Sequence, residues 1–186
     1  LRRTLPQGGL NTGDFVLWHA AAGGVGLIAC QWARALGLKL IGTAGSDEKC
    51  ALAREHGATH TINCRGEDFV ARVKEITGGA GVKAVYDSVG ADTFMKSLDC
   101  LSPFGLLACY GNASGKVPPL DIGLLAAKGS LFVSRPTLFT HIATRERTQA
   151  MADELFAVVQ SGAGKSRIDQ RYPLPDGARA HRELGA

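Results

Sequence analysis

Two hydrophobic periods take turns along this chain of 186 residues. Short runs of apolar and β-branched residues at 15–19, 39–43, 59–63, 82–87, 105–111 and 130–134 are bounded by glycine, proline or polar residues. Each run predicts a buried strand. Between them the period lengthens. Val25, Ile28, Ala29, Trp32, Ala33 and Leu36 step by three and four, which predicts a helix with one apolar face after the first run. A second helix is predicted from Ser46, a good N-cap followed by Asp47 and Glu48, and closes at 56–58. Further helices are predicted at 68–77, stopped by Gly78 and Gly79, at 93–100, and at 144–161 with a stripe of Met151, Leu155, Val158 and Val159. Residues 172–177 read as a turn before a short helix through Leu184, and residues 1–5 as the tail of a helix ended by Pro6, Gly8 and Gly9.

Strands and helices alternating at these lengths predict an α/β fold with an open parallel sheet covered on both faces. Six strands in this order suit a doubly wound, Rossmann-type domain over residues 15–163. Residues 1–14 are then a helix tail and linker from an upstream part, and 164–186 a C-terminal extension returning toward it. On this reading the chain is a segment of a longer protein.

The stretch Ala20-Ala21-Ala22-Gly23-Gly24-Val25-Gly26 joins the first strand to the first helix. A strand, a glycine-rich turn and a helix place bare backbone amides at a helix N-terminus, which holds phosphate without a cationic side chain. The form is Ala21-Ala22-Gly23-Gly24-Val25-Gly26, with alanine where G-x-G-x-x-G has its first glycine. Its context predicts a grip on the pyrophosphate of a dinucleotide by Ala22, Gly23, Gly24 and Val25.

Composition narrows the partners. The net charge of +4 is mild and mixed in sign along the chain, with no basic block interleaved with aromatics, which argues against nucleic acid as the main partner. Cys30, Cys50, Cys64, Cys100 and Cys109 form no C-x-x-C pair and no zinc spacing, so no metal site is expected. They read as buried structural thiols in a reducing, cytoplasmic setting. Residues 15–33 carry no acidic or basic charge, but Gly23, Gly24 and Gly26 break the run, so a buried strand and helix are predicted there rather than a membrane span. No Ser–His–acid spacing suggests a hydrolase, and the five histidines read as surface or capping residues.

The end of the second strand selects between the two dinucleotides. An acid there would bind the adenosine ribose of NAD and repel the 2′-phosphate of NADP. Thr43 is followed by Ala44, Gly45 and Ser46, and the first acids, Asp47 and Glu48, lie inside the helix start. Lys49, one turn in, reaches a phosphate or is simply a solvated lysine; NADP is the reading the residues favour. Strand ends are also where Tyr110, Gly111 and Asn112 follow the fifth strand and Ser134, Arg135 and Pro136 the sixth. Asn112 suits a carboxamide, and Tyr110 a place near the ring.

Taken together, Ala20–Gly26, Ile41-Gly42-Thr43, Ile62-Asn63-Cys64-Arg65, Tyr86-Asp87-Ser88-Val89-Gly90, Tyr110-Gly111-Asn112 and Ser134-Arg135-Pro136 resemble the zinc-free quinone oxidoreductases of zeta-crystallin type, in the medium-chain dehydrogenase/reductase superfamily. The resemblance spans nearly the whole chain. It implies NADPH:quinone reduction, with pyrophosphate contacts at Gly24 and Val25 and 2′-phosphate contacts at Gly45, Ser46 and Lys49. Ser88 and Asn112 fall where that family lines the cofactor cleft, and Ser134 to Pro136 near the nicotinamide. The family often has Tyr where Cys64 stands, packing on the adenine. It pairs coenzyme domains edge to edge as homodimers, and carries an upstream GroES-like substrate domain that is not in this sequence. The chain by itself is therefore expected to bind NADPH without turning over quinone, and no catalytic residue is assigned. A related enoyl or alkenal reductase and a non-catalytic nucleotide- or RNA-binding module are the alternatives.

Overall fold

The computed structural model describes residues 9–166, 168 and 170–183. The helix tail expected at residues 1–5 and Leu184 lie outside the described residues. Among the described residues six strands form one parallel sheet: β1 (Phe15–Trp18), β2 (Lys39–Ala44), β3 (His60–Asn63), β4 (Val82–Asp87), β5 (Leu101–Cys109) and β6 (Phe132–Ser134). Their order is β3-β2-β1-β4-β5-β6, the doubly wound order of dinucleotide-binding domains. The connections carry α1 (Gly24–Ala35), α2 (Asp47–Glu55), α3 (Phe69–Ile76), α4 (Phe94–Leu98) and α5 (Gly123–Ala127). After β6 come α6 (Leu138–His141), α7 (Arg145–Gln160), a 3₁₀ turn at Leu174–Asp176 and α8 (Gly177–Glu183).

Period-two alternation divides the strand side chains between two cores. Val16 and Trp18 of β1, Leu40 of β2, Ala84 and Tyr86 of β4 and Leu106 and Ala108 of β5 face Ala29, Cys30 and Ala33 of α1. Leu17, Ile41, Val85 and Leu107 belong to the opposite core with Phe69 and Val73 of α3 and Phe94 and Leu98 of α4. Burial of each such leucine or isoleucine contributes about 1.5–3 kcal/mol, and it is lost if a strand slips by one residue.

The structure departs from the sequence pattern, or adds to it, in four places. The buried side of α1 is Gly26, Ala29, Cys30 and Ala33 with Leu27 and Gln31, while Val25 is 64% exposed and Ile28 and Trp32 only half-buried. Small residues win that face because the helix lies close against the sheet. β5 begins at Leu101, and its pairing jumps from Val82↔Leu101 to Ala84↔Leu106, so Pro103 and Phe104 are accommodated in an irregularity. The short helices α5 and α6 were not predicted, since four or five residues cannot display a helical period. Finally, α7 has the predicted bounds within a residue but none of its residues is buried, and Met151 and Val159 stay exposed.

Among the described residues, the extension after α7 is held to the domain at Gln31. Buried Gln31 of α1 accepts from the amide of Lys165 at 2.7 Å and donates to its carbonyl at 3.0 Å.

Candidate functional site

A parallel sheet brings every strand's carboxyl end to one edge, and all the predicted site residues lie at or after such an end. Ala22 to Val25 follow β1; Gly45, Ser46 and Lys49 follow β2; Cys64 follows β3; Ser88 follows β4. Tyr110 to Asn112 follow β5, and Arg135 and Pro136 follow Ser134, the last residue of β6.

The turn after β1 is shaped by three contacts. Ala20 adopts φ 55°, a left-handed conformation that costs alanine about 1 kcal/mol, and its carbonyl accepts from Gly23 at 3.0 Å. Gly23 caps α1 in extended conformation with no side-chain hydrogen bond, so the first-turn amides meet no side-chain acceptor. They carry the positive end of a twelve-residue helix, roughly half an elementary charge. A side chain on Gly24 would meet nothing within 4 Å, whereas a Cβ on Gly26 would lie 2.5 Å from the carbonyl oxygen of Ala21. The alanine that breaks the motif is explained across the sheet: Ala21 is fully buried, and its methyl sits 2.6 Å from where a Cβ on Gly42 of β2 would be. The missing bare position has moved to the neighbouring strand.

Beyond β2, both acids at the helix start are engaged. Asp47 accepts from the Asn63 side-chain amide at 2.8 Å, turning toward the end of β3. The Ser46 hydroxyl bonds Glu48, holding its carboxyl below the ordinary range, and accepts from the Lys49 amide at 3.3 Å. Lys49 is exposed at this terminus. A second cation, not singled out by the sequence, stands beside Gly45: Nε of Arg65 lies 3.6 Å from the position of a Cβ there. Its signal was its place two residues beyond β3. A cleft of about 430 Å³ joins this region to the first turn, lined by Ala20, Thr43, Gly45, Cys64, Thr93 and Lys96 among others.

The ends of β4 and β5 touch directly. A Cβ on Gly111 would lie 2.2 Å from the Ser88 carbonyl oxygen, and Gly90 at φ 94° packs its backbone on Gly115 and Asn112. Buried Asp87 shapes the first of these loops by accepting from the amides of Val89 and Gly90 at 2.8 and 3.1 Å and from the Thr93 hydroxyl at 2.8 Å. Asn112, Ser134 and Arg135 line a second cleft of about 420 Å³ with Lys116, Val117 and Leu120. Arg135 is tied back, donating to the carbonyls of Cys109 and Gly111 at 3.1 and 2.9 Å. Tyr110 packs toward the core, 5.8 Å from the Trp18 ring, where burial raises its phenol pKa and a hydrogen bond with Ser88 partly offsets the rise.

This arrangement of glycine turn and strand order is shared with known proteins. The profile of the family described as zinc-binding dehydrogenase matches residues 24–157. The chain belongs to that family. It is 54% identical over 177 residues to a quinone oxidoreductase of Pseudomonas aeruginosa, covering 95% of this chain and 54% of the relative. It is 47% identical over 174 residues to a 2-haloacrylate reductase of a Burkholderia species, covering 93% of this chain and 52% of that protein. The crystal structure of Escherichia coli quinone oxidoreductase complexed with NADPH superposes with a TM-score of 0.91 at 51% identity, over 99% of this chain and 56% of that one. The chain thus spans about half the length of the curated relatives it matches.

The family's description carries zinc, but among the described residues no three histidine, cysteine or acidic side chains gather to hold a metal ion. The chain's five cysteines are all unpaired; Cys30, Cys50, Cys100 and Cys109 are buried, while Cys64 is exposed, which corrects the expectation of five buried thiols. Burial pushes the Cys100 thiol up to about 12 and that of Cys30 to about 11, so both are inert. Among the described residues no helix is long and apolar enough to cross a membrane.

His19 is the second correction. Expected at the surface, it is 1% exposed at the end of β1, with Nδ1 3.0 Å from the Thr43 hydroxyl and Nε2 2.9 Å from that of Ser97. Nothing local distinguishes it, because both partners come from other elements. Desolvation lowers its pKa from 6.5 to about 4, against the pull of Asp87. The unfolded chain therefore binds this proton first, so stability is complete above pH 6.5 and falls as pH drops toward 4. Between pH 7.5 and 5 the expected loss from this residue is roughly 2 kcal/mol. Urea unfolding across that range checks it: His19→Gln should flatten the slope, and an unchanged slope would refute the assignment.

Proposed function

We propose that this chain is the NADPH-binding part of an oxidoreductase that passes reducing equivalents from NADPH to a quinone. The observation that carries the reading is the junction of an uncapped, glycine-built helix terminus with a cationic, acid-occupied helix start beyond the neighbouring strand. The first suits a pyrophosphate, the second a 2′-phosphate. Similarity to the NADPH-complexed enzyme of Escherichia coli supports the same coenzyme.

In this reading the amides at Gly24 and Val25, with Ala22 and Gly23 shaping the turn, hold the pyrophosphate. Gly45, Ser46 and Lys49, joined by Arg65, hold the 2′-phosphate, and Cys64 borders the adenine. Ser88, Tyr110, Gly111, Asn112 and Ser134 to Pro136 border the nicotinamide end; Tyr110 does so through its backbone and Arg135 by bracing the end of β5. NADPH, when bound, supplies the hydride. The chain's own work is positioning and exclusion of water, since a quinone accepts reducing equivalents with little help from acid catalysis. The 2-haloacrylate reductase relative favours a second acceptor class, an activated alkene, on the same coenzyme platform.

The same proposal includes a homodimer through the sheet edge, supported by β6, which pairs with β5 on one side and exposes Val133, and a cytoplasmic setting, supported by the unpaired cysteines.

Calorimetry with NADPH and NADH tests the coenzyme. Removing an exposed cation from a phosphate contact costs about 1–2 kcal/mol, so Lys49→Ala should weaken NADPH about tenfold and NADH less than twofold. Equal losses for the two coenzymes would remove Lys49 from the phosphate site.

A further inference from the structure

Outside the residues assigned to the coenzyme, one polar cluster, buried except at half-buried Thr93, spans three parts of the site. It runs through Thr43 at the end of β2, His19 at the end of β1, Ser97 and Thr93 at α4, and Asp87 at the end of β4. We infer that His19 is a positioning residue for the coenzyme, locking the pyrophosphate turn and the loop after β2 at a set spacing through hydrogen bonds to Thr43 and Ser97. The inference rests on the nucleotide reading of the site.

The hydrogen bonds of the cluster fit a neutral imidazole protonated at Nε2. The Ser97 hydroxyl donates to the Thr93 carbonyl at 2.8 Å, so its oxygen is left to accept from Nε2–H of His19. Nδ1 then bears no proton and accepts from the Thr43 hydroxyl. The Thr93 hydroxyl continues the chain onto Asp87, whose other bonds shape the loop after β4. A neutral imidazole with Nε2 protonated satisfies every member without an added charge, in agreement with its lowered pKa.

Position gives the cluster its effect. His19 immediately precedes Ala20, the left-handed residue of the phosphate turn, and its own amide is held by the Tyr86 carbonyl at 3.0 Å. The amide of Ala21 in turn donates to the Thr43 carbonyl at 2.9 Å. Thr43 leads through Ala44 to Gly45 and Ser46. Ala20, Thr43 and Thr93 all line the first cleft, while the imidazole lies beneath it, edge-on to Phe69 at 5.0 Å. Buried in this way, His19 touches no bound molecule and acts only through the groups it holds.

Ser97→Ala is the decisive variant, because it removes the acceptor of Nε2–H at a fully buried position that does not line the cleft. Calorimetry on the folded 186-residue chain should show NADPH and NADH both weakened about fivefold, with their ratio unchanged. Nitrogen-15 NMR of the wild type at pH 7 should show His19 with Nε2 protonated and Nδ1 bare, and Ser97→Ala should shift the Nε2 signal. Unchanged affinities in a folded Ser97→Ala, or a wild-type imidazole protonated at Nδ1, overturn the inference while leaving the coenzyme site intact. A wild-type chain that binds neither coenzyme overturns the site reading itself.

Discussion

Replacing Gly26 with alanine should destabilise the chain by about 3 kcal/mol and remove measurable NADPH binding, while Gly24→Ala two residues earlier should leave stability within about 0.5 kcal/mol. Both glycines lie in the first turn of α1, where alanine is ordinarily the better helix former by up to about 1 kcal/mol. At Gly26 that gain is outweighed. Its Cβ would stand 2.5 and 2.6 Å from the carbonyl oxygens of Ala21 and Ala20, backbone atoms already constrained by the left-handed Ala20 and by the bond from Ala21 to β2. The helix must move off the turn, and the amides proposed to grip the pyrophosphate move with it. At Gly24 the added methyl has open space, but that space is the proposed place of the phosphate. Gly24→Ala should therefore fold normally and still bind NADPH at least tenfold more weakly. Urea unfolding and calorimetry on the two variants separate these effects, and a Gly26→Ala variant as stable as the wild type would contradict the close approach.

Gly42→Ala should cost about 3 kcal/mol, and the second change Ala21→Gly should restore about 2 kcal/mol of it. Gly42 lies within β2 and Ala21 in the turn after the adjacent strand β1, and a Cβ at residue 42 would overlap the buried Ala21 methyl at 2.6 Å. Neither atom has a torsion that moves it aside, so overpacking dominates the gain in strand propensity. Ala21→Gly alone loses one buried methyl and stiffens nothing, a cost of about 1 kcal/mol. A double-mutant cycle by urea denaturation checks the coupling; additive losses would show that the two residues do not share this space.

The alternation of strands and helices was legible in the chain because each strand window of β1 to β4 and each helix of eight residues or more shows its own period and its own stop. The six strand-end groups of the site were legible for a related reason: ligand-bearing loops follow strands, and the strands could be counted. Arg65 was passed over because it counts as a site residue only when Gly45 is seen beneath it. Asp47 could be placed in the helix start but not turned away from the ribose until Asn63, sixteen residues on, was seen to hold it. The apolar stripe of α7 was correctly spaced, yet spacing does not say whether anything covers it.

By itself, then, the sequence determined the α/β alternation, the glycine turn at the head of α1 and the absence of an acid directly after β2. These are properties of neighbouring residues, set by backbone freedom and by hydrophobic period. Only the tertiary structure decided that the alanine in the turn is matched by Gly42 and that Arg135 braces β5. It also decided that His19 lies buried between Thr43 and Ser97, which are 24 and 78 residues away. Each of these depends on which strand lies beside which, and an atom's nearest neighbours across a parallel sheet come from segments that no local window of the chain contains.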